Sequence, residues 1–173
     1  VELDQAPEGV PARLLCTRRN RLSHRGAAVH VGDRVVVEAI DPVQARAVVA
    51  QVESRTSWLT RPPVANVSLV VVALAVEQPA FDPDQASRFL LTAERTGLPV
   101  QLLLTKGDLA DPAQLAALRH RLEGWGYKAL IMSSHTGEGI DALRHRLQTT
   151  ELAVLCGPSG VGKSSVLNRL MPH

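Results

Sequence analysis

The sequence predicts a mixed fold, a small β-barrel followed by an α/β domain with a parallel sheet, and three observations carry that expectation. Residues 1–60 hold short β-type runs broken by Gly, Pro and polar clusters, with no convincing helical period. From residue 61 onward, apolar runs alternate with amphipathic segments, as strands and helices do around a parallel sheet. The last such pair is joined by a glycine-rich turn, CGPSGVGKSS, residues 156–165. The boundary between the domains, 1–60 and 61–173, is placed beside Pro62.

In the first domain the strand candidates are ARLLCTR, AAVHVGDRVVVEAI and ARAVVAQVE, with Gly32 and Asp33 at a turn. RTSWLTRPPVAN, with two prolines and little periodicity, reads as a linker. SLVVVALAV then reads as a strand buried on both faces. In FDPDQASRFLLTAERTG, Asp82 caps a helix, Pro83 fits its first turn and Gly97 ends it. Ala86, Phe89, Leu90 and Ala93 give that helix one apolar face. PVQLLLT is the next strand, and DPAQLAALRHRLEGWG repeats the Asp-Pro start with Leu115, Leu118 and Leu122 on one side. KALIMS, GIDALRHRL and LAVLC follow as strand, helix and strand, and Gly162 opens a last helix.

Composition narrows the function classes. The chain has 173 residues, 45% hydrophobic and 21% charged, enough for a real core. Only 3% are aromatic, which leaves few rings for stacking nucleic-acid bases. Arg13, Arg18, Arg19, Arg21, Arg25 and Arg34 stand against one acid, Asp33, between positions 13 and 34. Such a cluster suits phosphate or an acidic protein surface, the plainer alternative being a solvated arginine-rich hairpin. Cys16 and Cys156 make neither a disulfide framework nor a zinc quartet. The longest apolar run, Val67 to Val76, is too short to span a bilayer, so a cytoplasmic protein without membrane contact is expected.

Gly157 to Ser164 matches the phosphate-loop pattern GxxxxGK[ST] in full, between an apolar strand and a helix. The expected phosphate-binding residues are Gly157, Pro158, Ser159, Gly160, Val161, Gly162, Lys163, Ser164 and Ser165. The glycines let backbone N–H groups turn inward to phosphate oxygens at a helix N-terminus. Lys163 places a full charge at the β and γ phosphates, and the Ser164 hydroxyl is the expected Mg²⁺ ligand; these two are the catalytic candidates.

Two earlier segments address the base. Thr105, Lys106, Gly107 and Asp108 follow a strand end, where α/β sheets meet ligands, the plainer alternative being an ordinary turn, which often carries Lys, Gly and Asp. A carboxylate accepts both N1–H and the N2 amino group of guanine, whereas adenine offers no such pair, so Asp108 would select guanine while Lys106 covers the base face. The second segment, MSSHTGEGI, brings Ser133, Ser134 and His135 to the next strand end, where small residues let N–H groups reach the guanine O6. Its plainer alternative is a helix-capping turn through Thr136 or Glu138.

TKGD resembles the NKxD base motif of Ras-like GTPases, SSHTGEGI their second guanine loop and GPSGVGKSS their first phosphate motif. With the phosphate loop last and a β-domain carrying VGDRV and RTSWLTRPPVANV in front, the chain is similar to the ribosome small-subunit-dependent GTPase A family, the circularly permuted GTPases. The resemblance covers nearly the whole chain and departs at Thr105, where the motif has Asn. It implies an OB-fold that contacts ribosomal RNA, here through Arg18, Arg19, Arg21 and Arg25 to phosphate, and a permuted GTPase domain read as truncated at its C-terminus. It further implies GTP or GDP with Mg²⁺, a Zn²⁺ domain lying beyond this chain, a monomer, and slow GTP hydrolysis stimulated by the small (30S) ribosomal subunit during its late maturation. His135 lies on the base side and is read as structural. Two rivals stay open: a guanylate-kinase-like enzyme, and an RNA-binding module with a vestigial nucleotide site.

Overall fold

Alternation of β-branched residues shapes the first part of the chain. The computed structural model describes residues 1–18 and 28–171. Here β1 (Leu15–Arg18), β2 (Val35–Asp41) and β3 (Arg46–Val52) form a three-stranded sheet ordered β1-β3-β2. The β1–β3 pair is parallel and the β2–β3 pair antiparallel. Along β3 the period of two buries Ala47 and Val49. The β2–β3 turn is closed by the Asp41 carboxylate, which accepts from the Val43 and Gln44 N–H groups at 3.0 Å each.

RTSWLTRPPVAN is not a linker. It folds as a hairpin of β4 (Trp58–Thr60) and β5 (Pro63–Ala65), turning at Arg61-Pro62. Its prolines sit in the turn and at the first residue of a strand, where a missing N–H breaks no ladder bond. The chain divides into compact units at Asn66/Val67, so this hairpin lies wholly in the first unit, although the sequence reading cuts at 60/61. The two segments VGDRV and RTSWLTRPPVANV are bound to each other. Asp33, with a side chain only 1% exposed, takes both Arg55 Nε at 2.7 Å and Arg55 Nη2 at 3.0 Å, and also accepts from the His30 N–H. Asn66 accepts from the Thr56 N–H and donates to the Gly32 carbonyl. The Arg55 guanidinium lies 4.6 Å over Trp58, whose other neighbour is the edge of His30. Arg19, Arg21 and Arg25 of the arginine cluster fall outside the described residues.

The second unit is built on a strand buried along its whole length, β6 (Leu69–Ala75). With β7 (Val100–Thr105), β8 (Leu130–Ile131) and β9 (Ala153–Cys156) it forms an all-parallel sheet ordered β8-β7-β6-β9. The helices are α1 (Pro83–Glu94), α2 (Pro112–Gly124), α3 (Ile140–Gln148) and α4 (Lys163–Leu170). β6 feeds two cores by alternation. Val70, Val72, Leu74 and Val76 pack with Ala86, Leu90 and Leu122 of α1 and α2, while Leu69, Val71, Ala73 and Ala75 pack with Ile140, Leu143 and Val166 of α3 and α4. Building outward from β6 to β8 and returning to β9 on its other side places the helices on opposite faces. The crevice where strand order reverses lies between β6 and β9.

The two Asp-Pro starts behave as their local chemistry dictates. Asp82 accepts from the Asp84 and Gln85 N–H groups, and Asp111 from those of Ala113 and Gln114. α3 starts differently. Its N-cap is Gly139 at φ 75° without a side-chain cap, so neither Thr136 nor Glu138 caps it. Among the described residues no helix is long and apolar enough to cross a membrane.

Candidate functional site

The carboxyl ends of β7, β8 and β9 each release a loop, and the three loops meet around a cavity of about 530 Å³. Thr105, Lys106 and Asp108 line it from the first loop, Ser134 and His135 from the second, Val161, Gly162 and Ser165 from the third.

The phosphate loop begins at Gly157, whose φ is +147°; a Cβ there would lie 2.0 Å from the Ala73 carbonyl oxygen. Only glycine lets the loop pass so close to β6. Gly160 and Gly162 hold φ of +80° and +90°, turning the loop back to the N-terminus of α4. The Lys163 ammonium donates to the Gly157 and Pro158 carbonyls at 2.9 and 2.6 Å, which anchors a positive charge inside the loop. Ser164 and Ser165 are exposed at the helix start, and the Ser164 hydroxyl makes no hydrogen bond within the described residues. Beneath the loop, burial pushes the Cys156 thiol up despite the nearby Lys163 charge, so it stays protonated at neutral pH.

The base-side turn is tied to this loop by its own side chains. Thr105 is buried, and its hydroxyl donates to the Val161 carbonyl at 2.6 Å, with Leu74 O at 3.2 Å as a weaker second acceptor. Lys106, at φ 57°, reaches over Gly162 to the Gly160 carbonyl at 2.9 Å and to the Gln78 carbonyl. Gly107 is buried on β8: its N–H donates to Met132 O, and a Cβ would meet Ile131 Cγ2 at 2.7 Å. That leaves Asp108 exposed in a short 3-10 turn, Gly107–Leu109, which lines the cavity.

The second base-side loop is ordered from within. Ser133 is fully buried and lies off the cavity; its hydroxyl accepts from the His135 and Thr136 N–H groups at 3.1 Å each, and its N–H donates to Glu138 O. Ser133, a base-contact candidate in the sequence, therefore shapes the turn while Ser134 faces the cavity. With those N–H groups taken, the Ser134 N–H is the one in Ser133–Gly137 that finds no acceptor among the described residues. A residue the sequence did not single out, Arg169 of α4, donates to the Ser134 and His135 carbonyls. It stands 35 and 34 residues away, with no spacing to betray it.

The donor set fits a nucleoside phosphate with Mg²⁺. The loop holds the Lys163 charge at the N-terminus of α4, and Ser164 offers one free hydroxyl, enough for a cation that keeps most of its shell from water and phosphate. Among the described residues no group of three or more His, Cys, Asp and Glu could hold a metal by itself, and Cys16 and Cys156 are free thiols in different units.

A family profile described as RsgA GTPase matches residues 52–173. The small ribosomal subunit biogenesis GTPase RsgA of Parasynechococcus marenigrum (strain WH8102) is 79% identical over 100% of the chain and 58% of its own length. The protein of that name from Prochlorococcus marinus (strain MIT 9303) is 63% identical over 98% of the chain and 53% of its own length. Among solved structures, YjeQ from Thermotoga maritima superposes with a TM-score of 0.81 at 33% identity, covering 92% of this chain and 57% of that one. YloQ, described as a circularly permuted GTPase, gives 0.74 at 29% identity, covering 90% and 54%. The chain thus spans somewhat over half the length of these relatives.

Proposed function

The chain belongs to the RsgA GTPase family, and from that premise we propose that its second unit binds GTP and GDP with Mg²⁺ and hydrolyses GTP in the late maturation of the small ribosomal subunit. The observation that carries this reading is the convergence of Asp108, Ser134 and the phosphate loop on one cavity. Asp108 accepts the paired donors of guanine, and the free Ser134 N–H donates to its O6. Lys106 lays its methylenes beside the base, since its stem already crosses Gly162. The loop N–H groups and Lys163 hold the phosphates and stabilise charge that develops on the γ-phosphoryl oxygens. Ser164 would hold Mg²⁺, which supplies further charge neutralisation at the β and γ phosphates.

The first unit supplies the ribosomal contact in this reading, as an OB-fold that docks on ribosomal RNA through Arg18 at the end of β1 and its neighbours Arg19, Arg21 and Arg25. Support comes from the names of the relatives and from the scarcity of aromatic residues, which favours phosphate contacts over base stacking. The protein acts as a cytoplasmic monomer, and its zinc domain lies outside this chain. The experiment is GTP turnover by the full chain with and without small subunits, alongside GDP and ADP binding. Stimulated turnover with guanine preference supports the proposal; equal GDP and ADP affinity overturns it and favours the vestigial-site reading.

A further inference from the structure

α4 carries the phosphate-loop lysine at its first residue and Arg169 in its last turn. The Arg169 guanidinium crosses to the loop after β8, where Nε donates to Ser134 O at 2.7 Å and Nη2 to His135 O at 3.1 Å. Neither carbonyl accepts another hydrogen bond within the described residues; the other bonds of Ser133–Gly137 are made inside the loop, to Glu138, or to the Ile140 N–H, which donates to the Gly137 carbonyl at 3.3 Å. The far end of the helix is braced in turn: Arg144 of α3 pairs with Asp141 and donates to Arg169 O at 3.5 Å. Helix and base-side loop are thus joined by one planar fork on two successive carbonyls.

We infer that Arg169 is a positioning residue for base recognition: it fixes the peptide planes that follow Ser134 and His135, and through them the free Ser134 N–H on the cavity wall. The inference rests on the guanine reading above. The guanidinium is bound to backbone and Arg169 does not line the cavity, so its effect falls on the base end of the site. A guanidinium holds both carbonyls at the fixed angle of its planar fork, whereas an ammonium is a point charge with rotatable donors on a flexible stem and fixes that angle less well. Because the same helix opens at Lys163, any displacement of the phosphate-loop helix is carried to the loop that meets the base.

The test titrates the full chain, as wild type, Arg169→Ala and Arg169→Lys, with GDP, ADP and inorganic pyrophosphate by calorimetry, with thermal unfolding run in parallel. Two lost charge-assisted bonds at an exposed position predict an about tenfold weaker GDP affinity in Arg169→Ala. Pyrophosphate affinity stays within about twofold, because it needs only the phosphate loop, and the preference for GDP over ADP shrinks; Arg169→Lys recovers part of the loss. Unchanged GDP affinity, or equal weakening of GDP and pyrophosphate, overturns the inference. Should Arg169→Ala unfold, Arg169→Lys carries the same criterion. A wild-type chain that fails to bind GDP overturns the parent reading instead, and that is read without any variant.

Discussion

The Thr105 hydroxyl donates a 2.6 Å hydrogen bond to the Val161 carbonyl, joining two turns that lie 56 residues apart in the chain. The bond is buried at both ends, so its loss leaves the carbonyl unsatisfied away from water. Thr105→Val keeps the shape and removes the hydroxyl. It is expected to cost about 1–2 kcal/mol of stability and to weaken GDP about tenfold, measured by denaturant unfolding and calorimetry. Unchanged values for both would show that the tie contributes nothing.

Asp108 is exposed on the cavity wall, held there by the burial of Gly107 against β8. Asp108→Asn replaces two acceptors with an acceptor and a donor. GDP affinity is expected to fall at least about tenfold while xanthosine diphosphate, which presents a carbonyl in place of the amino group, binds better than it does to the wild type. Competition binding with both nucleotides reads the switch. Parallel loss of both would remove Asp108 from base recognition.

Two of the site glycines, Gly157 and Gly107, differ in what surrounds them. A methyl at Gly157 meets backbone, the Ala73 carbonyl at 2.0 Å, whereas one at Gly107 meets the movable Ile131 side chain at 2.7 Å. Gly157→Ala is therefore expected to cost about 2–3 kcal/mol and to abolish pyrophosphate binding, and Gly107→Ala to cost about 1 kcal/mol. Thermal unfolding ranks them, and the reverse order would contradict the packing.

In the first unit, the Arg55 hydrogen bonds hold the Asp33 carboxyl below its ordinary value, against the opposing effect of burial. A depressed folded value means that the bond's contribution is complete above the unfolded value of about 3.9 and is lost as pH falls through the folded one. Asp33→Asn should thus destabilise the unit at neutral pH and remove part of its acid sensitivity below about pH 4, followed by urea unfolding across that range. An unaltered acid profile would show that other carboxylates dominate.

Arg18→Ala, Arg19→Ala and Arg21→Ala combined should weaken small-subunit binding and flatten its salt dependence, each lost phosphate contact lowering the salt slope by about one. GDP affinity should stay as in the wild type, because these residues belong to the other unit. Sedimentation with purified subunits measures the first and calorimetry the second. Loss of both together would overturn the division of labour between the units.

What could be read from the sequence was local chemistry. Asp82-Pro83 and Asp111-Pro112 mark helix starts because cap and ring act within one turn, and Gly157 to Ser164 is legible as a tight strand-to-helix turn because its glycines take the positive φ that such a turn needs. The turn after β7 was legible as a candidate from Lys106 and Asp108 at a strand end, and the structure adds that Thr105 reaches the Val161 carbonyl in the glycine-rich loop. Proline misled at Pro62 and Pro63, since the residue that breaks a strand also turns a hairpin. Ser133 and Ser134 are chemically equal and adjacent, and only the fold makes one a buried turn former and the other a cavity residue. Arg169 was silent, because an exposed arginine on a helix reveals nothing of a carbonyl on a distant loop.

The sheet's register has one further consequence. β9 ends at Cys156 opposite Val72, while β6 and β7 run on side by side to Ala75 and Thr105. The sheet therefore has a stair in its upper rim, three residues or about 10 Å deep. The phosphate loop starts on the lower tread and climbs until Val161 stands level with Thr105, so the depth of the site is set by strand length. Adding or deleting one residue in β9 would shift that tread by about 3.3 Å and part the two turns without touching a single ligand-facing side chain.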